Sequence, residues 1–321
     1  MKRILFLMLI AAGLAAEGVR FNLNNYSLFY NLEYKDNPYY DGRTFFGDNL
    51  EGYFTFKINE KVSSDIGIIL WRFYGGNRQI LPYISFSFTP EPWITFVFGN
   101  LKRFHGLHRA IFFDTLYYER PAERGFQFLL NGKNARADIW INWQREMRVL
   151  TQEKFDVGGI FNLQAEPAFF KLQYHYIHYG GEYLEHHVGP RDETAIMGLA
   201  GISIPDTFAG SVDVTMAYFL SFYIPDRWLN TMEKGKGIEG KILWKNPVLN
   251  IFASYWKGND FFHEDGDPLY QAKKLVVFGL EKEFRLKSFI LKFVITTGWV
   301  DGIWVPYQKI EALWSWEGLK F

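Results

Sequence analysis

Residues 211–222 read SVDVTMAYFLSF, and the residues of this stretch alternate in character. Every second residue is apolar, which gives the set Val212, Val214, Met216, Tyr218, Leu220 and Phe222. The residues between them are small or polar, with Phe219 as the exception. A period of two is typical of a β-strand whose two faces meet different surroundings. The apolar face therefore meets either a protein core or lipid.

The composition limits the partners of the chain. The 321 residues include 35 basic and 35 acidic side chains, so the formal net charge is zero and gives no support for nucleic acid as a partner. Phe, Tyr and Trp together make up 19% of the residues. There is no cysteine, which excludes disulfides and thiolate metal sites.

The start of the chain has the features of a secretory signal peptide. Lys2 and Arg3 precede an apolar run over residues 4–12, and small residues follow around Ala15. This run is too short to cross a bilayer as a helix, although a buried first helix or a membrane anchor is the alternative. We therefore expect residues 1–16 to be a signal peptide and residues 17–321 to form one domain, because no linker divides them.

The rest of the chain reads as strands separated by turns. Alternation like that of residues 211–222 recurs at 51–58, 136–144, 170–176 and 309–316. Short breaks, most of them with Pro, Gly, Asn or Asp, fall near residues 59–61, 89–92, 131–134, 165–167, 205–207, 245–247 and 285–287. Connections that are longer on average fall near residues 35–47, 74–78, 101–121, 146–151, 181–193, 223–236, 258–272 and 300–304. This rhythm predicts about sixteen strands with both chain ends on the short-turn side.

Two all-β folds fit this pattern, a secreted sandwich and a transmembrane antiparallel β-barrel. A sandwich would carry mostly charged outward faces and would have to protect its edge strands. Here the apolar faces carry few charges in mid-strand, where a Lys or Arg at the bilayer midplane costs roughly 2–4 kcal/mol. Tyr and Trp are frequent near the strand ends, as aromatic girdles require. We therefore predict an all-β barrel of about 16 strands, with short periplasmic turns, longer external loops and a lipid-facing apolar surface.

The chain ends in WEGLKF, and a terminal aromatic residue after an alternating strand resembles the C-terminal signature of Gram-negative outer-membrane barrels. Leu319 shares the parity of Phe321, whereas Trp314 and Trp316 hold the other parity. A β-bulge near Gly318 would reconcile the two.

Together, the signal peptide, the strand count, the rhythm of connections and Phe321 make the chain similar to the outer-membrane porin class. The similarity is one of architecture and points to no single porin family. It implies a place in the bacterial outer membrane, contact with its lipid, recognition of Phe321 by the barrel insertion machinery, and assembly as a homo-trimer. It also implies that the third external loop folds into the lumen as a constriction.

The third external connection, residues 101–121, is the longest and carries many large apolar side chains that a freely solvated loop would not need. We expect it to fold against the inner wall, and packing on the other external loops is the alternative. Inward folding would place eight charged or titratable residues in the pore: Lys102, Arg103, His105, His108, Arg109, Asp114, Glu119 and Arg120.

Strand parity also predicts the charged residues of the lumen wall. They are Glu51, Lys57, Asp65, Asp138, Lys154, Asp156, Lys171, Asp213, Glu239, Lys241, Lys292 and Glu311. The mixed signs favour weak ion selectivity, and the basic excess of the third loop favours anions. Opposite charges on adjacent strands would alternatively pair across the inner face and only stiffen it.

Signals for catalysis and metal binding are weak. His175 and His178 are three residues apart on a strand and face opposite sides, so they cannot share a metal ion. The stretches around 186–187 and 263–267 match no known ligand spacing and are interpreted as solvated loops. Outer-membrane phospholipases and lipid A deacylases need a Ser–His pair with an orienting group, and no His-x-Ser stretch or Ser-centred glycine elbow occurs. We therefore expect no enzymatic activity, no cofactor and no metal.

The function predicted from the sequence is passive diffusion of small hydrophilic solutes across a bacterial outer membrane, with residues 101–121 as the constriction loop. The alternative is a closed or plugged barrel that acts as a binding or structural surface through its external loops. Bulky inward residues favour a narrower interior, namely Tyr53, Trp71, Trp140 and Phe219.

Overall fold

The computed structural model describes residues 18–33, 37–148, 151–180, 189–207 and 210–320. The predicted signal peptide, residues 1–16, and Phe321 lie outside the described residues. Most of the described chain belongs to one antiparallel β-sheet, and the first strand pairs with both the second and the last. The sheet is therefore closed into a barrel and has no free edge.

The strands are β1 (Gly18–Leu32), β2 (Arg43–Lys57), β3 (Val62–Phe73), β4 (Arg78–Glu91), β5 (Ile94–Asn100), β6 (Arg124–Asn131), β7 (Ala135–Arg145), β8 (Glu153–Ala165), β9 (Ala168–Gly180), β10 (Arg191–Thr207), β11 (Gly210–Ile224), β12 (Glu233–Lys245), β13 (Asn250–Asn259), β14 (Lys274–Leu286), β15 (Phe289–Val300), β16 (Ile303–Trp304) and β17 (Tyr307–Lys320). β16 is a two-residue strand that pairs only with the end of β15. The other sixteen strands form the wall, which confirms the predicted all-β antiparallel barrel.

Strand β11 contains residues 211–222 and shows how the alternation fits the barrel. Met216 on its even face is 57% exposed, whereas Ala217 and Phe219 on its odd face are buried. The odd face looks into the barrel, so the apolar even face is the outer surface that meets lipid. Phe219, the exception to the alternation, packs inside against Trp256 with ring centroids 5.1 Å apart.

The connections also follow the predicted rhythm. Short turns come after β2, β4, β6, β8, β10, β12 and β14, each within a few residues of its predicted place, and they define the periplasmic end. The external end carries the longer connections, of which residues 101–123 are the longest and contain helix α1 (Leu116–Glu119). No helix in the described part of the chain is long and apolar enough to cross a membrane.

The register between β1 and β17 contains the predicted bulge. Asn22 pairs with Glu317, but Arg20 pairs with Lys320, so one extra residue lies on β17 beside Gly318.

Two external connections fill much of the barrel interior. They are the third, residues 101–123, and the seventh, residues 260–273, which contains a 3-10 turn (Pro268–Gln271). Their buried apolar side chains form one cluster with the wall and include Ile111, Phe112, Phe113, Phe261, Leu269 and Tyr270. Burial of each such side chain contributes about 1.5–3 kcal/mol, so apolar packing alone favours the inward position of both loops.

Candidate functional site

The third external connection reaches the inner wall through its histidines. His105 lies between Glu123 and Asp138, with N–O distances of 3.1 and 2.6 Å, and its ring stacks on Trp140 at a centroid distance of 3.6 Å. Burial alone would lower the pKa of His105, but the two carboxylates outweigh it and raise the pKa to about 9. His105 is therefore a buried imidazolium at neutral pH.

Further residues of this connection also contact the wall. His108 Nε2 lies 2.8 Å from Glu239, and Arg103 lies 3.5 Å from Glu51. Lys102 binds the wall through its backbone N–H, which donates to Gln127 at 2.8 Å.

The acidic residues of the third connection pair with cations of the wall. Glu119 accepts from Arg43 at 3.0 Å. Asp114 forms an ion pair with Lys309, which outweighs the effect of burial and lowers the pKa of Asp114.

The seventh external connection is joined to the third by the ion pairs Arg120–Asp265 and Arg109–Asp267 and by backbone hydrogen bonds, which together are called the clasp. Arg120 binds the carboxylate of Asp265 through two N–H groups, and Arg109 Nε lies 2.6 Å from Asp267. The backbone N–H of Phe113 donates to the Asp265 carbonyl at 2.6 Å. Asp265 is buried, yet the Arg120 charge keeps its pKa well below the usual range. The prediction that residues 263–267 form a solvated loop is therefore wrong, because these carboxylates are buried against arginines of the third loop.

The predicted wall residues all lie on strands and share the inward parity. Six of them make polar contacts with other wall residues or with the loops: Asp65, Lys154, Asp156, Asp213, Lys292 and Glu311. Three contact side chains of the third connection: Glu51, Asp138 and Glu239. The remaining three are lysines with no ion pair in the described residues: Lys57, Lys171 and Lys241.

Two buried histidines form a separate group inside the barrel. His175 Nδ1 lies 2.8 Å from His263 Nε2, and His263 Nδ1 lies 2.7 Å from Glu193. This group tethers the seventh connection to β9 and β10. The described residues contain no group of three or more His, Asp or Glu side chains that could hold a metal ion.

The outer surface carries a second histidine site at the external end of β9 and β10. His178 faces outward while His175 faces inward, as predicted, and His178 is the direct cross-strand partner of Asp192. His178 Nδ1 lies 2.7 Å from Asp192 Oδ1, which also accepts from the Tyr176 hydroxyl at 2.6 Å. The second oxygen of Asp192 pairs with Arg227 from the following loop.

The contacts of Asp192 fix the chemistry of His178. A carboxylate on Nδ1 selects the tautomer with the proton on Nδ1, so Nε2 carries the basic lone pair. Nε2 faces Glu153 Oε1 at 3.9 Å, a separation that one water molecule can bridge. Gly180 leaves this space open, because a Cβ atom there would lie 2.3 Å from Nε2.

Apolar and aromatic side chains surround the His178 site on the outer face. The Phe155 ring lies 4.8 Å from the His178 ring, and Trp143 stacks on Phe155 at 5.2 Å. The site therefore combines an oriented base with an apolar surface at the level of an aromatic girdle.

Sequence comparison decides the family. The profile of the lipid A 3'-O-deacylase-type family matches residues 13–305, which is most of the chain. The chain belongs to this family. The finding corrects the prediction that the protein is not an enzyme, which rested on the absence of a Ser–His motif. No curated protein sequence matches the chain.

Solved structures show which barrel this family member resembles. OmpT of Vibrio cholerae, lacking loop L8, has a TM-score of 0.61 at 10% identity, over 93% of this chain and 99% of that one. OccK8 (OprE) of Pseudomonas aeruginosa has a TM-score of 0.57 at 9% identity, over 95% and 99% of the two chains. At such identities the likeness concerns the fold. It confirms the porin-like architecture of the barrel. Membership of the family and the lipid-facing surface of the barrel agree with a location in the bacterial outer membrane.

Proposed function

We propose that the protein hydrolyses an ester-linked acyl chain of lipid A at the outer surface of the barrel. The observation that carries the proposal is the His178–Asp192 pair, which lies on the outward face of the wall at its external end. Ester carbonyls of lipid A lie where its sugars meet its acyl chains, at the rim of the outer leaflet. A base at this level reaches such a carbonyl, whereas the interior histidines are separated from lipid by the wall. Family membership supports the same substrate.

The proposed step uses water as the nucleophile. His178 Nε2 removes a proton from a water molecule held between it and Glu153, and the water oxygen attacks the acyl carbonyl carbon. Arg227, whose side chain is 49% exposed, supplies positive charge for the oxyanion of the tetrahedral intermediate. The intermediate collapses as the C–O bond to the sugar breaks and the imidazolium returns its proton to the sugar oxygen. The products are a free fatty acid and a sugar hydroxyl, and the imidazole is regenerated.

The test is mass spectrometry of lipid A incubated with the refolded protein in detergent micelles. We expect loss of one acyl chain with wild-type protein. His178→Asn should lower the rate by about 10²–10⁴-fold, the usual contribution of a general base. Lys257→Gln, which removes an outward charge at the external end of β13, is the matched control and should keep the wild-type rate. Intact lipid A with folded wild-type protein, or full activity of His178→Asn, would refute the proposal.

We propose diffusion of small hydrophilic solutes through the barrel as a second function, with residues 101–121 as the constriction. It is supported by a cavity of about 460 Å³ between the two inserted connections and the barrel wall, lined by charged residues of both. Single-channel conductance in a planar bilayer tests it, and the reversal potential in a salt gradient tests the weak preference for anions. A folded barrel that never conducts would contradict this function and would leave the hydrolysis proposal untouched.

We also propose that the barrel assembles as a homo-trimer and that the barrel insertion machinery recognises Phe321. OmpT of Vibrio cholerae has been described in a trimer form, which supports a homo-trimer for this barrel. Chemical cross-linking in native membranes should then give a band at three times the monomer mass. Deletion of Phe321 should slow insertion into the outer membrane if the insertion machinery recognises that residue.

A further inference from the structure

The internal cavity of about 460 Å³ has more cations than its carboxylates can neutralise. Its four carboxylates each have a cationic or histidine partner, and the pairs are Asp267 with Arg109, Asp114 with Lys309, Glu281 with Lys292, and Glu239 with His108. Two further lysines, Lys171 and Lys241, line the same cavity without an ion pair in the part of the chain that the structure describes. The cavity therefore contains positive charge that an anion from outside would balance.

The surroundings of the two lysines suit more than a bare anion. Lys241 Nζ lies 4.6 Å from the centroid of the Phe252 ring, which is a cation–π contact. Leu199 and Leu243 line the same region. The cavity thus places ammonium groups beside apolar and aromatic side chains, a combination that binds the acidic group and the apolar body of a small organic ligand.

The two lysines lie nearer the periplasmic end of the barrel. Lys171 lies three residues from the start of β9 and Lys241 four residues from the end of β12, and both of these strand ends belong to the short-turn side. On the external side, the clasp of the third and seventh connections covers the cavity.

We propose that this cavity binds a small organic anion, with Lys171 and Lys241 on its acidic group and the Phe252 region on its apolar body. The site lies on the inner side of the wall from His178 and requires no ester hydrolysis. Its acidic group is a carboxylate or a phosphate, and the two are distinguished by the probes.

Isothermal titration calorimetry of the refolded protein in micelles tests the proposal. The probes are benzoate, phenyl phosphate and the uncharged analogue benzyl alcohol. We expect saturable one-to-one binding of benzoate or phenyl phosphate and none of benzyl alcohol. The double variant Lys171→Gln/Lys241→Gln should weaken binding by about tenfold or more, because two charge-assisted contacts are lost.

The matched control is Lys57→Gln, which removes an inward lysine of β2 that does not line this cavity. It should bind the anionic probe as the wild type does. Absence of saturable binding by both anions, or equal affinity in wild type and double variant, would overturn the proposal. The proposal would also be overturned if Lys57→Gln weakened binding as much as the double variant does. The total charge of the lumen, and not the two cavity lysines, would then determine the affinity. Circular dichroism and heat-modifiable gel mobility establish that each variant is folded.

Discussion

The clasp between the two inserted loops yields a prediction of defined size. Asp265→Asn removes the charge that Arg120 binds while keeping the size of the side chain. Loss of one partner of a buried ion pair costs 3–5 kcal/mol, and we take about 3 kcal/mol because the Arg120 side chain is 24% exposed. The barrel wall does not depend on this pair, so the loss should act on local opening of the loops.

Hydrogen exchange measures that opening directly. The amide of Phe113 donates to the Asp265 carbonyl at 2.6 Å, and the amide of Asp267 donates to Arg109 at 2.9 Å, so both are protected only while the loops are docked. A loss of about 3 kcal/mol should lower their protection about a hundredfold. Amides in the middle of β11 should be unaffected.

Two further variants separate the clasp from other effects. Arg148→Ala breaks an exposed pair with Glu146, whose side chains are 72% and 69% exposed, and should change nothing measurable. Arg120→Met/Asp265→Leu should restore most of the protection, because an apolar pair can replace a buried ion pair. If Asp265→Asn lowers the hydrogen-exchange protection of these two amides less than about threefold in a folded barrel, then apolar packing and not the ion pair holds the loops in place.

Three more predictions concern the wall, the third loop and the outer-face site. Met216→Lys on the lipid face should lower the free energy of unfolding by about 2–4 kcal/mol in a urea titration in lipid, whereas inward-facing Thr215→Lys should be tolerated. The folded-state pKa of His105 is raised to about 9, so the stabilisation from its imidazolium should be fully present below about pH 6.5 and be lost as the pH rises through about 9. Proteolysis of residues 101–123 should therefore accelerate over that pH interval. The His105→Gln variant should show no such acceleration. Gly180→Ala should lower the rate of lipid A hydrolysis about tenfold in a folded barrel, because the added Cβ atom would displace the His178 ring from Glu153. An unchanged rate would show that His178 Nε2 needs no free space beside residue 180.

The wall of this barrel follows from its sequence because its determinants are local. Alternation with a period of two indicates the strands, and turn residues indicate the short connections. Each of these signals can be recognised from about ten consecutive residues. The inward position of the third connection was likewise predictable from its excess of apolar side chains. Its role as a constriction remains a prediction.

The clasp and the outer-face site depend on contacts that are distant in sequence. Asp265 and Arg120 are 145 residues apart, and no local pattern marks one as the partner of the other. His178 and Asp192 are 14 residues apart and meet only because the register of β9 and β10 places them opposite each other. No single residue marks the site either, because outward ionisable residues such as Lys236 and Lys257 also occur near the external strand ends, where the lipid penalty is small.

Adjacent residues of β10 show how one strand serves both sides of the wall. Asp192 faces outward and orients His178, whereas Glu193 faces inward and binds His263 of the seventh connection. Successive side chains of a strand point to opposite faces, so the two networks share a backbone but no side-chain contact. Asp192→Asn should therefore impair hydrolysis and leave the loops docked, while Glu193→Gln should loosen the seventh connection and leave hydrolysis intact. A slip of one residue would exchange the two carboxylates, so the register of β10 is the structural requirement that both sites share.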